Sequence, residues 1–358
     1  MRVLQLIDSL HAGGAERVAV NYANSLSQYI EGSYLCTTRD EGILKENILD
    51  AVSYLFVNKR SALDVKAIKK LNRFIRVNKI NVIHAHSTSF FMATIIKLFI
   101  PGVKLIWHDH YGKSEYLDKR PKFVLKWCSR FFSHIFVVNT KLEAWVKATL
   151  YTKSVTYLPN FAIQDVTKPK TLLRGENGKR ILHLANLRSQ KDHITLLKAF
   201  NEIIKQHEDW TLHLVGKDFG DSYSESIKVF INNNNLKQHV FIYGSCPDIH
   251  NVLNQSTIGV LSSKSEGLPL ALLEYGMAKL PVIATKVGDC NQVISNSNQG
   301  ILVEPEDHKA LAKSILKLID NDDLRKKNAE HLYKKVLSSF SESESIKALI
   351  NIYKHSKR

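Results

Sequence analysis

Short runs rich in Val, Ile and Leu punctuate the chain. In the first half they are Val3–Ile7, Val52–Phe56, Val82–His86, Lys104–Trp107, Ile135–Val138 and Val155–Leu158. In the second half they are Ile181–Leu184, Thr211–Val215, Val240–Tyr243, Ile258–Leu261, Val282–Ala284 and Ile301–Val303. Continuous apolar runs this short suit strands buried on both faces. Between them, Asp64–Val77, Thr140–Leu150, Thr195–Gln206 and Lys309–Ile319 repeat apolar residues with helical spacing. Strand alternating with helix predicts an α/β fold with parallel sheets and right-handed crossovers.

The series runs twice. After Pro159 the pattern lapses, and residues 161–179 mix Gln, Asp, Thr, Lys, Pro, Gly and Asn as a linker does. A new series begins at Arg180. The expected organisation is two Rossmann-like domains, residues 1–165 and 166–340. A helical tail, Ser341–His355, is expected to pack back on the first.

Composition narrows the setting. The net charge is +16, with 23 basic against 13 acidic residues in 1–165 and 27 against 21 in the remainder. Such a surplus favours phosphorylated molecules, acidic lipid or nucleic acid, or is simply a solvated basic surface. Cys36, Cys128, Cys246 and Cys290 form no CxxC pair, which fits free thiols in a reducing compartment. The chain opens directly on a strand, with no signal-peptide pattern. Its longest apolar stretch, around Ser89–Ile100, is about a dozen residues against the ~20 a span needs. A cytoplasmic protein, able to lie on a membrane without crossing it, is expected.

Several short motifs carry candidate chemistry. Gly13 and Gly14 precede a helix, where paired glycines admit an anion to free N–H groups or simply make a tight turn of positive φ. His84 and His86 end one strand; His108, Asp109 and His110 end the next. Strand-end histidines face the crevice where open α/β sheets bind ligands. The HxH pairs could suggest zinc, but no third ligand has a convincing spacing. Arg188 and Lys191 lie in a strand-to-helix loop, where two cations could neutralise a diphosphate. In SEGLPLALLE, Glu266 falls in a loop after a buried strand, and Pro269 suits the first position of the next helix. Glu274 then lies one and a half turns in, and the helix-start amides face forward. Two carboxylates for hydroxyls and amides for phosphate together suit a sugar nucleotide.

At these residues the chain resembles retaining glycosyltransferases of the GT-B fold, family 4. The matching pieces are Gly13–Glu16, NVIHAHS (81–87), WHDHYG (107–112), LPN (158–160), LRSQKDH (187–193), LVGKDFG (214–220) and residues 263–285. The last piece, with E-x7-E and PVIA, is the specific one. The resemblance implies a GT-B arrangement, with parallel sheets facing across an interdomain cleft and a nucleotide diphosphate sugar as donor. It implies that Glu266 binds donor-sugar hydroxyls and Glu274 the ribose. Gly267 and Leu268 would contact sugar or phosphate, and Lys191 with Arg188 would hold the diphosphate. Gly13, Gly14 and Gly216 would belong to the donor site. His110, with His108 as second choice, would sit near the reacting carbon. Three departures stand out. Asn186 occupies the usual arginine position, Asp192 follows the lysine where glycine is usual, and Tyr275 follows Glu274, where it could alter the nucleotide pocket.

The resemblance also implies transfer without a bound metal or other cofactor, the leaving phosphate taking the acceptor proton. The acceptor would be a glycan or lipid-linked oligosaccharide bound by the first domain, in lipopolysaccharide, capsule or exopolysaccharide synthesis. Residues 119–136 place Lys122, Lys126 and Arg130 beside Phe123, Trp127 and Phe131. They read as a basic amphipathic helix suited to an anionic membrane surface, or as an ordinary packed helix. A nucleotide-sugar epimerase on the same fold is the alternative enzyme. A basic nucleic-acid-binding protein is less favoured, since no helix-turn-helix, RNP or zinc-finger pattern is present.

Overall fold

The computed structural model describes residues 1–112, 114–152, 154–161 and 168–356. The chain divides into two compact units, Met1–Asn160 with Glu342–Arg358, and Phe161–Ser341. The expected boundary at 165/166 lies outside the described residues.

The first unit is built on β1 (Arg2–Ser9), β2 (Gly32–Asp40), β3 (Val52–Phe56), β4 (Val82–His86), β5 (Lys104–Asp109), β6 (His134–Val137) and β7 (Val155–Tyr157). All pair in parallel, in the order β3-β2-β1-β4-β5-β6-β7. The second unit contains β8 (Arg180–Leu184), β9 (Thr211–Val215), β10 (Val240–Gly244), β11 (Ile258–Leu261), β12 (Val282–Thr285) and β13 (Ile301–Val303). They form a parallel sheet in the order β10-β9-β8-β11-β12-β13. Strand order reverses between β1 and β4 and between β8 and β11. Those are the switch points at which doubly wound sheets bind ligands.

Strand β2 was not among the expected runs. Its apolar part is only Tyr34-Leu35-Cys36, followed by the polar Thr37 to Asp40. It pairs with β1 over most of its length and with β3 over Ser33–Thr37, and Thr37 and Thr38 are buried despite their polarity. The helix Asp322–Ser339 was also missed, because its face is thinly apolar; Ala329, Leu332 and Val336 alone of its apolar residues are buried.

The first sheet is not apolar on both faces. Leu4, Leu6, Ile83, Ala85, Leu105, Trp107 and Ile135 join one buried cluster on one side. On the other, Gln5, His84, His86, His108 and His134 are buried. The helix Gly14–Leu26 brings Tyr22 over this layer, and the last helix, Glu342–His355, brings Tyr353. That final helix is fastened by Lys104 Nζ, which donates to the carbonyls of Tyr353 and Lys354 at 2.9 Å each. In the second unit the core is conventional, with Leu196, Phe200, Leu212, Leu214, Val260, Ile283 and Ile315 fully buried.

Residues 119–136 are not one amphipathic helix. Pro121 cannot donate to a preceding turn, and the α-helix covers only Phe123–Cys128. A 3-10 turn, Ser129–Phe131, follows, and then β6 begins at His134. The basic-aromatic surface nevertheless exists. Phe123 is 88 % and Trp127 45 % exposed, while Leu125 and Cys128 turn inward.

Candidate active site

Four loops converge at the carboxyl edge of the second sheet, following β8, β9, β11 and β12. Their centre is an ion pair. Lys191 Nζ lies 2.6 Å from Glu266 Oε1, and Ser263 Oγ donates to the same oxygen at 2.6 Å. The Glu266 side chain is 6 % exposed and that of Lys191 21 %. A buried carboxylate held by a cation and a hydroxyl is fixed in place, and the lysine stays open at its outer side. Sequence reasoning gave these two residues separate roles and overlooked Ser263.

The backbone explains the placement. Ser262 Oγ donates to the carbonyls of Lys191 and Asp192, and Lys264 N to that of Gln190, so the two loops are laced together. Asp192 has φ +49°, ψ +52°. This left-handed conformation suits glycine best and Asp or Asn next. Asp192 also caps the helix His193–Ile203, accepting from Thr195 N and, at 2.7 Å, from Thr195 Oγ1. The departure from glycine therefore keeps the turn and adds a cap.

Behind the loop carrying Glu266 stands Gly288, which no sequence pattern had singled out. It has φ +51°, and a Cβ there would strike the carbonyls of Glu266 and Gly267. Asp289 N donates to the Gly267 carbonyl at 2.9 Å. Gly267 and Leu268 are both buried in this loop. Pro269 is the residue before the helix rather than its first turn: φ −72° with ψ 119° is extended, and the helix is Leu270–Met277. Glu274 lies on it, half-buried.

Tyr275 does not enter a nucleotide pocket. It is fully buried beneath the sheet, where its hydroxyl accepts from Leu184 N at 2.7 Å and lies 3.2 Å from the Val260 carbonyl. It lies across Gly259, where a Cβ would press on the ring at 2.8 Å. The phenol thus bridges β8 and β11 just beyond their last paired residues.

The usual arginine position is structural here. Asn186 Oδ1 accepts from Lys217 N at 2.8 Å, and Leu187 N donates to the Lys217 carbonyl at 3.0 Å. Gly216 permits this approach, since a Cβ would collide with the Ala185 carbonyl. Arg188 is exposed and rests its guanidinium 4.6 Å from the centre of the Phe219 ring. Its carbonyl accepts from Lys191 N at 2.9 Å, so it sits in the same turn, while its guanidinium lies on Phe219 and is not part of the Lys191–Glu266 ion pair.

In the first unit, Gly13 precedes the helix Gly14–Leu26 with φ −135°, ψ 160°, which is extended rather than a positive-φ turn. Gly14 is exposed, and a Cβ there would meet nothing. The Glu16 carboxylate lies over Gly13, where a Cβ would meet its Oε2, and so already supplies a negative charge at this helix start. At the ends of β4 and β5, His86 pairs in register with His108. His110 Nε2 is 3.0 Å from His86 Nδ1, and His86 Nε2 is 2.7 Å from Gln5 Oε1. Gln5 Nε2 donates to Tyr353 OH at 3.3 Å, and that hydroxyl is 2.6 Å from His84 Nδ1. With the Gln5 carbonyl toward His86, the network assigns the proton to His86 Nε2 and, in turn, to His110 Nε2. Neither Gln5 nor Tyr353 was suspected from sequence, since each is one polar residue in an apolar run.

Burial holds these imidazoles neutral. It pushes His84, His86 and His108 well below the usual range, helped by neighbouring histidines, and His110 down to about 3. Ring nitrogens of His84, His86 and His108 lie within 4.8 Å of one another, so the structure supplies the third histidine that spacing did not. The rings are nearly parallel, however, at 3° between His84 and His108 and 28° between His86 and His108. Their lone pairs leave side by side instead of meeting at a point, and both His86 nitrogens are already engaged. Next to them Asp109 takes Arg120 bidentately, at 2.6 and 2.8 Å, both side chains buried. Arg120 is sandwiched between Tyr111 and Trp145 at 4.3 and 4.4 Å.

Known proteins share this framework. The family model described as glycosyl transferases group 1 matches residues 165–335. That of glycosyltransferase family 4 matches residues 12–162. The chain belongs to family 4 of the GT-B glycosyltransferases. As such it is an enzyme of the hexosyltransferase type. One Escherichia coli relative is UDP-Gal:alpha-D-GlcNAc-diphosphoundecaprenol alpha-1,3-galactosyltransferase. It is 24 % identical over 95 % of this chain and 93 % of its own. A Rhizobium leguminosarum lipopolysaccharide core biosynthesis mannosyltransferase is 22 % identical over 68 % of this chain and 67 % of its own. Among solved structures, Anabaena HepE in complex with UDP and glucose superposes with a TM-score of 0.83. It is 18 % identical and is covered over 99 % of this chain and 100 % of its own. The family 4 match does not favour the epimerase reading.

Proposed function

We propose that this family 4 enzyme moves a hexose from a nucleotide diphosphate sugar to a glycan acceptor in cell-surface polysaccharide synthesis, with retention at the anomeric carbon. The observation that carries the reading is the Lys191–Glu266 pair set beside the start of the helix Leu270–Met277. In glycosyl transfer, negative charge grows on the departing diphosphate. Lys191, with the helix start and the amides of Gly267 and Leu268, is suited to stabilise it. Arg188 stands near enough in the chain to assist from its loop. These groups would supply the positive charge without a metal ion. Glu266 would accept from donor hydroxyls and Glu274 from the ribose. Gly216 would shape the donor loop by letting its backbone pack on Ala185.

In the proposed step, the bond between the anomeric carbon and the phosphate oxygen breaks as the acceptor oxygen bonds to that carbon. The acceptor proton passes to the leaving phosphate on the same face. His110, neutral and with Nε2 donating to His86, would present Nδ1 as an acceptor near the reacting carbon. The E. coli relative's diphosphoundecaprenol-linked sugar and the R. leguminosarum relative's lipopolysaccharide core favour lipid-linked or lipopolysaccharide acceptors. The exposed Phe123 and Trp127 among Lys122, Lys126 and Arg130 would let the enzyme rest on the anionic inner face of a cytoplasmic membrane. Among the described residues, no helix is long and apolar enough to cross one.

A thermal-shift screen of UDP-, GDP- and ADP-sugars tests the donor. One of them raises the melting temperature, and Glu274→Ala abolishes the rise; no shift with any of them sinks the reading. Sedimentation with anionic liposomes tests the surface, and a protein left in the supernatant argues against it.

A further inference from the structure

The carboxyl edge of β1, β2 and β3 holds a charge cluster outside the histidine layer. Asp8, near the end of β1, accepts from Thr38 Oγ1 and, at 2.5 Å, from Thr88 Oγ1. Two cations face the same carboxylate. Lys59 Nζ is 3.7 Å from Asp8 Oδ1, and Arg39 Nε is 3.8 Å from it. Both separations exceed a hydrogen bond, because the hydroxyls occupy the nearer positions.

Lys59 is the unusual member. Its side chain is only 5 % exposed, although lysine is almost never buried unless closely paired. Its backbone N–H is tied to the Thr38 carbonyl at 2.6 Å, which fixes the point from which the buried stem starts. Desolvation lowers its pKa more than Asp8 raises it, as expected of a cation short of acceptors. One carboxylate between two cations leaves a net positive charge at a strand-end crevice, the place where such sheets take ligands.

We propose that Lys59 and Arg39 form an anion subsite for a phosphoryl or pyrophosphoryl group carried by the acceptor, on the reading above that the first unit binds the acceptor. An incoming phosphate oxygen would give the Lys59 ammonium the close partner it lacks. Arg39, 56 % exposed, would swing onto the outer oxygens. Thr38 and Thr88 would keep Asp8 turned aside.

Inorganic pyrophosphate is the probe. It is titrated calorimetrically into the full chain carrying Lys191→Ala, and into that chain with Arg39→Gln or Lys59→Met added. Binding is expected to survive Lys191→Ala and to weaken about tenfold or more with either addition, as loss of a charge-assisted hydrogen bond requires. Lys59→Arg should restore it. Arg39 is exposed, so Arg39→Gln reports on binding even if Lys59→Met unfolds. Pyrophosphate affinity unchanged by Arg39→Gln, or no binding in the Lys191→Ala background, overturns the proposal. The nucleotide-sugar thermal shift, read in Arg39→Gln alone, persists if the donor assignment holds, so the two readings fail separately.

Discussion

At the end of β11 a lysine and a glutamate meet at 2.6 Å, the carboxylate almost wholly buried. At the ends of β4 and β5, four imidazoles stack with their pKa values driven toward the neutral form. The two sheets share a topology but present opposite electrostatics at the same topological place. The second unit fixes charge, as the proposed stabilisation of a leaving diphosphate would require. In the first, the imidazole layer is held uncharged, with His84, His86 and His110 in neutral hydrogen bonds and both His108 nitrogens buried without a partner. One fold thus supports two chemistries, chosen by what ends each strand.

The comparison can be broken at the one buried charge pair beside the imidazoles. Asp109→Ala strands the Arg120 guanidinium among Trp107, Tyr111 and Trp145. We expect about 3–5 kcal/mol of stability to be lost, read by urea denaturation. A smaller loss would mean that the ring stack, not the pair, holds that edge. Next comes the charged edge itself. Lys191→Ala should lower kcat by about 100- to 1,000-fold, with a proportionally smaller loss of stability, because Ser263 still donates to the stranded Glu266 carboxylate. Equal losses in stability and rate would make Lys191 a structural residue. Gly288→Ala should cost about 1–3 kcal/mol, because a positive φ and two carbonyls oppose the new methyl, and kcat should fall with it.

The neutral layer is read by acid. These histidines have folded pKa values below the unfolded value of about 6.5. The unfolded chain therefore binds more protons below that pH, and stability is full above it. Stability falls as pH drops from about 6.5 toward the folded values near 4 for His134 and 3 for His110. Replacing His108, whose two nitrogens are buried and unpartnered, by Phe should remove about one proton from that slope. Potentiometric unfolding at several pH values checks it, and an unchanged slope would show His108 charged in the folded state. The smallest effect is expected at Arg188. Its stacking on Phe219 and exposure predict less than about a tenfold rise in donor KM for Arg188→Ala.

Much of this was legible because strand ends carry their residues to one edge. The short Val/Ile runs marked twelve of the strands, and Glu266, Lys191 and His110 followed from the loops after them. What stayed hidden depends on approach between distant segments. The bond from Ser263 to Glu266 depends on a loop conformation, and Gly288 acts through the backbone carbonyls of Glu266 and Gly267, far earlier in the chain. Tyr275 looked like a pocket residue by adjacency to Glu274, yet helical geometry turns neighbours about 100° apart, and it went into the sheet. Strand β2 was invisible because its second half is polar, with Thr37 and Thr38 buried and Arg39 and Asp40 exposed, so no apolar run marks it.

The helix Glu342–His355 has a consequence for biosynthesis. The chain leaves its first unit at Asn160 and supplies that unit's last helix only from Glu342. Until then, Gln5 and His84 have no Tyr353 to bond. On a ribosome, the half that emerges first must wait, its polar layer uncovered, while the whole second unit is made. The second unit, continuous in sequence, can close while the first is still incomplete. The order of synthesis and the order of completion are therefore inverted.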